Sequence, residues 1–370
     1  RVQKSGMDFL KACLEKAMNL AAAPLEIGDE FSDCFDHIFI IDSTTFDLHK
    51  SLKDVFKGYS GSASQSSMRI QFLFDYVTGS VYVELGDVKL ADSTTLNRIV
   101  SDDKIDSKGK SLFIQDLGYF KTETFIKIDE KEQTSFLSKI KSGINIFDTD
   151  GNKLEWKDLL KEKPEAIDLI VKIGDLECRL IGVKLNEKLV NQKLRTINKA
   201  NKRRGRTTSD EQQLLAAYGL FITNLPQEFD FHCLYTVYRL RWQIELVFKT
   251  WKSILKIHSI RSGREPNLFC KVYGKLITAI IITMIYRKAQ LDFEYSLSAH
   301  QIFQYFIVIA VQWTIKILEG YNTHIQFLRN TIRQIRRRCK KSKHKKEPTI
   351  EELLQDASCR LLRNKQLCLT

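Results

Sequence analysis

Proline is scarce in this 370-residue sequence, five in all, and that scarcity argues against long disordered linkers. Paired cysteines are missing as well. The eight cysteines (Cys13, Cys34, Cys178, Cys233, Cys270, Cys339, Cys359 and Cys368) contain no CxxC and no Cys/His cluster. Such scatter excludes a zinc finger and suits buried thiols in a reducing compartment rather than disulfides. Cys339 and His344 lie close together in a basic stretch but lack a second pair of ligands. No secretory signal opens the sequence, which starts at Arg1 rather than Met and so leaves room for residues upstream. Long apolar runs are few. Leu276 to Ile285 is too short to span a bilayer, and Ile302 to Ile317 is interrupted by Gln304, Gln312 and Trp313, with Lys316 near its end. The second run predicts a buried core helix, and no membrane partner is expected.

What is present is positive charge. The formal net charge of +13 favours a polyanionic partner, nucleic acid first and an anionic membrane surface second. A basic protein with no such partner is the plain alternative. The length allows two or three domains, each with its own core.

The pattern along the chain alternates strands and helices. Met7 to Leu20 reads as a short amphipathic helix, followed by Pro24 and an acidic stretch. His37-Ile38-Phe39-Ile40-Ile41-Asp42 reads as a strand buried on both faces and closed by an acid. Met68 to Tyr76 and Val81 to Leu85, joined by Thr78-Gly79-Ser80, predict an antiparallel hairpin. A helix is expected over Asp92 to Val100, capped by Ser93 or a neighbour. Ser111-Leu112-Phe113-Ile114-Gln115-Asp116 then repeats the strand-plus-acid pattern. From about Ile126 to Tyr218 short alternating runs, Ile167 to Ile173 and Cys178 to Val183, with turn chemistry at Asp150-Gly151-Asn152, suggest a β-rich module. Inside it, Lys193 to Arg206 holds seven cations and no acid, expected to form an exposed loop or helix edge. Gly219 to Asn224 returns to a strand, Pro226 breaks it, and a long helix is predicted from about Asp230 to Leu255. Three more helical stretches follow, then a basic run from Arg329 to Lys346. The expected fold class is α/β: a core interrupted by a β-rich insertion, with an α-helical C-terminal region.

On the long helix, Tyr238, Arg241, Glu245 and Lys252 fall on one stripe at about 100° per residue, beside an apolar stripe of Leu240, Ile244, Val247, Phe248 and Trp251. Periodicity alone leaves two readings open. The polar stripe is a solvated face, with Glu245 bridging to Arg241 or Lys249, or it is part of a site. Asp42 and Asp116 each close an apolar strand, and ligands of open α/β sheets gather outside the carboxyl ends of strands. A helical Glu beside them completes a set of three carboxylates, which tolerate one another only around a cation. Oxygen ligands of this kind suit Mg²⁺.

The stretch Tyr238-Arg239-Leu240-Arg241-Trp242-Gln243-Ile244-Glu245, with Lys252, fits the Y-x2-R-x3-E-x6-K signature and resembles the IS4-type DDE transposases. Ile41-Asp42-Ser43-Thr44 resembles the strand of the family's first Asp. Asp116-Leu117-Gly118-Tyr119-Phe120 resembles its second-Asp motif, with Leu117 where the family usually has Arg or another polar residue. Ile222-Thr223-Asn224-Leu225-Pro226 resembles the strand leading to the Glu helix. The resemblance covers roughly His37 to Lys252 and part of the helical region beyond.

That resemblance implies an RNase H-like core over residues 37–125 and 219–258, the β-rich insertion over 126–218, and a helical region with a basic tail over 259–370. Residues 1–36 would be the remnant of a helical N-terminal region. It implies metal-dependent DNA cleavage and strand transfer at the ends of an insertion sequence. Asp42, Asp116 and Glu245 would be catalytic and would ligate two Mg²⁺ ions, replaceable by Mn²⁺, roughly 3.5–4 Å apart. Tyr238, Arg241 and Lys252 would contact DNA. Double-stranded DNA, as element ends and target, would be the partner of a homodimer in the nucleoid of a prokaryotic cytoplasm. The alternatives are an RNase H-like nuclease that does not join strands and an inactive DNA-binding derivative. Trp156 packs a core in one reading and stacks on a flipped base in the other.

Overall fold

The computed structural model describes residues 4–21, 34–59, 64–102, 105, 108–141, 143–162, 164–291 and 293–341. In chain order, the elements are α1 (Lys4–Ala21), β1 (His37–Asp47), β2 (Ser67–Asp75), β3 (Val81–Asp87), α2 (Asp92–Ser101), β4 (Ser111–Gln115), α3 (Thr122–Asp129) and β5 (Thr134–Lys139). There follow β6 (Ile146–Phe147), β7 (Lys153–Leu154), α4 (Trp156–Leu159), β8 (Ala166–Ile173), β9 (Leu176–Lys184), α5 (Glu187–Arg203), α6 (Asp210–Ala216) and β10 (Tyr218–Thr223). The remaining helices are α7 (Phe231–Tyr238), α8 (Arg241–Ser253), α9 (Glu265–Gln290), α10 (Ala299–Leu318) and α11 (Tyr321–Arg338). The class is mixed α/β, with a large sheet and C-terminal helices.

The chain divides into two compact units. One holds Arg1–Gly28, Asp42–Leu90 and Trp242–Pro348; the other holds Asp29–Ile41, Ala91–Arg241 and Thr349–Thr370. In the second unit the strand order is β1-β4-β5-β10-β9-β8-β6-β7. β1, β4 and β5 are parallel neighbours, and β5 meets β10 antiparallel. Parallel strands need cover on both faces, and β4 is buried along its whole length. Ring contacts close the layers: Phe39 lies 4.9 Å from Phe113, and Phe125 of α3 lies 4.6 Å from Phe136 of β5.

In the first unit β2 and β3 form the expected hairpin, Phe74 pairing with Val81. Its turn needs Gly79, whose φ is +77° and whose missing Cβ leaves room for the Arg287 guanidinium of α9. Phe72 of β2 meets Trp251 and Phe248 of α8 at 5.0 and 6.1 Å. α1 packs on α9, and α9, α10 and α11 pack on one another.

Several expectations are corrected. β1 does not close at Asp42 but runs to Asp47, because Thr44 and Phe46 alternate inward along a second stretch of strand. The cap of α2 is Ala91, with no side-chain bond, rather than Ser93. Residues 126–218 hold strands and also the helices α5 and α6; of the two forms expected for Lys193 to Arg206, an exposed loop or a helix edge, the helix is found, most of the run lying on α5. The long helix breaks into α7 and α8: Arg239 and Leu240 bond back to Thr236 and Val237, a tighter turn. An unbroken helix would set Tyr238 and Leu240 on opposite faces, whereas both are buried here.

α9 and α10 are long and apolar enough to cross a membrane by length and composition alone. α9 buries Leu268, Val272, Leu276 and Ala279. α10 is not the buried core helix expected from its sequence: Ile302, Phe303, Phe306 and Ile309 face inward, while Val308, Val311 and Leu318 are 80%, 73% and 82% exposed. The basic run begins on the packed helix α11, whose Thr331 and Ile335 are buried; residues beyond 341 lie outside the described part. The described cysteines are free thiols.

Candidate active site

Each candidate aspartate follows an apolar stretch of a parallel strand. β1 and β4 run parallel in a register that pairs Ile41 with Gln115, and the next residue of each is an acid, Asp42 and Asp116. Apolar burial fixes this register, because a one-residue slip would turn Ile38, Ile40, Leu112 and Ile114 to the other face. Asp42 is half-buried, and its Oδ1 accepts the Ser43 backbone N–H at 2.7 Å. Asp116 follows the last residue of β4 in extended backbone and caps a single 3₁₀ turn, Leu117–Tyr119. Tyr119 anchors that turn in the core, while Leu117 is exposed.

Two of the predicted DNA-contacting residues gather on Asp116. The Tyr238 hydroxyl donates to Asp116 Oδ1 at 3.4 Å, and Arg241 Nε lies 3.9 Å from the same oxygen. Tyr238 is only 6% exposed, its ring set 4.6 Å from that of Phe221, so its polar contact is the hydroxyl on Asp116. Burial, reinforced by the Asp116 carboxylate, holds its phenol well above the usual range and keeps it a donor. The Asp116 side chain keeps 38% of its surface exposed, against 11% for Arg241.

Glu245 and Lys252 ride on α8, half-buried, one and three turns after Arg241. Ile244, Phe248 and Trp251 form the buried side of the helix, so the apolar and polar stripes expected from spacing are both present. Among the described residues, no group of three His, Cys, Asp or Glu side chains stands at metal-binding spacing.

Other residues that position the site escaped the sequence reading. The Lys139 ammonium lies 5.3 Å from the Tyr238 ring centroid. Arg179 is 1% exposed, pairs with both carboxylate oxygens of Asp168 at 2.6 and 2.7 Å, and donates to the Pro226 and Phe229 carbonyls at 2.7 and 2.9 Å. It thereby holds the loop that leads into α7. The one sequence signal was an arginine set inside the otherwise apolar stretch Cys178 to Val183. Asn224, quoted for its place before Pro226, donates to Asp129 at 2.8 Å and to the Thr134 carbonyl at 3.1 Å, tying the end of β10 to β5. Trp156 is buried, which favours the packing reading.

Known proteins bear on these residues. Residues 33–281, which include all six candidates, match the family described as Transposase DDE domain. The chain is 28% identical over 280 residues to the transposase for insertion sequence element IS231F of Bacillus thuringiensis subsp. israelensis, covering 69% of this chain and 57% of that protein. It is 28% identical over 274 residues to the transposase for IS1151 of Clostridium perfringens, covering 68% and 57%. Against the transposase for IS231C of Bacillus thuringiensis subsp. berliner the identity is 28% over 316 residues, covering 76% and 63%. The chain thus spans little more than half the length of the first two relatives. The family match covers well over half of the chain, and the chain belongs to the transposase DDE domain family.

Proposed function

We propose that this protein is an insertion-sequence transposase that cuts and joins DNA with divalent metal ions. The observation that carries the proposal is the β1/β4 register, which sets Asp42 and Asp116 one residue beyond a matched pair. The relatives are named as transposases for insertion sequence elements, which supports the same activity for this chain. The reading includes an RNase H-like core, residues 37–125 and 219–258, with 126–218 as the insertion between second Asp and Glu. Parallel β1, β4 and β5 support such a core.

Asp42, Asp116 and Glu245 are the proposed ligands of two Mg²⁺ ions, or Mn²⁺ in their place. Three carboxylates without thiol or imidazole are the donor chemistry that hard divalent cations take. When bound, such ions activate the attacking oxygen and stabilise the leaving oxygen of an in-line displacement. The protein's own residues do the rest. Tyr238 holds the Asp116 carboxylate in one orientation, and Arg241, beside the same oxygen, supplies fixed positive charge toward a phosphate. Lys252 supplies a second charge further along α8. The basic run Arg329 to Lys346 accompanies DNA electrostatically. Joining two element ends calls for a second copy of the chain. The exposed apolar patch of α10 at Val308, Val311 and Leu318 supports a protein contact there rather than a lipid one, since His300, Gln301 and Gln304 interrupt the same outer face. We place the protein in the nucleoid of a prokaryotic cell.

The test is cleavage of DNA carrying the element's ends in Mg²⁺ and in Mn²⁺. Asp42→Asn, Asp116→Asn and Glu245→Gln should each abolish cleavage while leaving the circular dichroism spectrum unchanged. A folded Glu245→Gln protein that cuts normally would sink the assignment. Joined strands or hairpins among the products support a transposase; cut ends alone make the protein a nuclease, and tight DNA binding without cutting makes it an inactive derivative.

A further inference from the structure

α5 has an outer face of one sign. At about 100° per residue, Val190, Leu194, Ile197 and Asn201 share one side of the helix, and Lys188, Arg195, Lys199, Lys202 and Arg203 share the other. The inner side is fixed firmly. Asn186 caps the helix by accepting the Leu189 N–H at 3.0 Å, and Asn201 donates to Thr208 and Gln212 of the following segment at 3.1 and 2.9 Å. Lys193 is the one cation turned inward, donating to the Tyr218 carbonyl, and burial pushes its ammonium down to about 8. The five outer cations are all exposed. Arg195, Lys199, Lys202 and Arg203 form no ion pair among the described residues.

A solvated helix face ordinarily mixes signs, because opposite charges four residues apart stabilise it and like charges do the reverse. Here Arg195/Lys199 and Lys199/Arg203 are like-charged pairs at that spacing, and the sole acid of the helix, Glu187, sits in its first turn. The helix dipole accounts for Lys202 and Arg203 in the last turn. It does not account for Arg195 and Lys199. The stripe from Lys188 to Arg203 runs about 22 Å at 1.5 Å per residue, alongside which duplex DNA presents a charge every ~1.7 Å. α5 carries no aromatic residue, so it offers no platform for stacking single-stranded bases.

We propose that the outer face of α5 binds the phosphate backbone of duplex DNA without reading its sequence. The proposal takes only the choice of polyanion from the function proposed above, and its test requires neither metal nor cleavage. The full chain is titrated in EDTA with an arbitrary duplex of about 20 base pairs, by anisotropy, between about 50 and 200 mM salt. Combining Arg195→Gln, Lys199→Gln, Lys202→Gln and Arg203→Gln should lower affinity at least about tenfold at low salt and flatten the slope of log affinity against log salt by about 2–4. Arg195→Lys with Arg203→Lys should keep the wild-type slope. An unchanged slope in the glutamine variant overturns the proposal, as does tighter binding of the single strand than of the duplex by the wild type. A footprint on the wild-type protein guards against a folding defect: duplex should slow acetylation of Lys199 and Lys202 severalfold but not that of Lys53, and equal slowing everywhere, or none, overturns it. Loss of this binding with cleavage intact, or the converse, separates α5 from the carboxylates.

Discussion

Among the described residues α5 and α11 are two strongly basic helices, yet their cations are used differently. On α11, Arg336 is drawn inward: its guanidinium donates to the Ala289 and Leu291 carbonyls at the end of α9 and lies 5.4 Å from the Phe293 ring. Lys340, just past the helix, sits 3.9 Å from the Tyr295 ring. On α5 the one inward cation is Lys193, and the other five face solvent. A run of Lys and Arg in sequence is therefore not one kind of feature. Whether the guanidinium meets an unpaired carbonyl or water decides between holding the fold and meeting a ligand.

The widest gap on this scale lies between Arg179 and any outer cation of α5. Arg179 is buried with four donated bonds, two of them to the Asp168 carboxylate, and its removal takes all four away at once. Arg179→Met should cost about 3–5 kcal/mol in urea unfolding, whereas Arg195→Met should stay within about 0.5 kcal/mol. Equal costs at the two sites would break the comparison.

Next in size is Arg336. Its replacement by Met removes charged donors from two helix-terminal carbonyls, for which about 1.5–3 kcal/mol is expected. Arg337→Met, exposed one residue later, should fall within about 0.5 kcal/mol. A Tm that drops equally in both would mean that the contacts to Ala289 and Leu291 contribute nothing beyond the general charge of α11.

Much of this architecture is legible in the sequence. The hairpin of β2 and β3 announced itself by two apolar runs around Thr78-Gly79-Ser80, and β4 by the apolar run Leu112 to Ile114 shortly before Asp116. What was missed has local physical causes. The break at Arg239 and Leu240 carries neither Pro nor Gly; it exists because Tyr238 and Leu240 both have to be buried, a tertiary demand. β1 continues past Asp42 because Thr44 and Phe46 alternate, and the preceding continuous apolar run hid that change of period. The charges of Lys193 to Arg206 left an exposed loop and a helix edge both open, although Val190, Leu194 and Ile197 recur at helical spacing behind the Asn186 cap and mark the helix. α10 looked like a core helix because composition cannot say which of its apolar faces finds a partner. For the site, the register of β1 and β4 pairs Ile41 with Gln115, the residues just before Asp42 and Asp116. Lys139 and Arg179 lie far from the motifs in sequence, and only the place of Arg179 inside an apolar stretch hinted at a role.

The smallest expected effect belongs to the outer face of α11 and tests whether its remaining cations resemble those of α5. Deleting the chain from Arg329 onward would confound the question, because it removes the buried Thr331 and Ile335 and the Arg336 contacts along with the charge. Substitution keeps the packing. Arg329, Arg333, Arg337 and Arg338 are exposed, and Arg333 already donates to Asn330 at 3.2 Å. Changing all four to Gln should leave the Tm within a few degrees, since exposed charges contribute little to stability. If α11 accompanies DNA, each lost phosphate contact flattens the salt slope by about 0.9. Because Arg333 is partly engaged within the helix, a flattening of about 1–2 is expected, less than for the four α5 substitutions. A flattening larger than that of the α5 variant would reverse the ranking and make α11 the principal electrostatic contact. No flattening at all would leave α11 as a structural helix whose outer arginines only meet water.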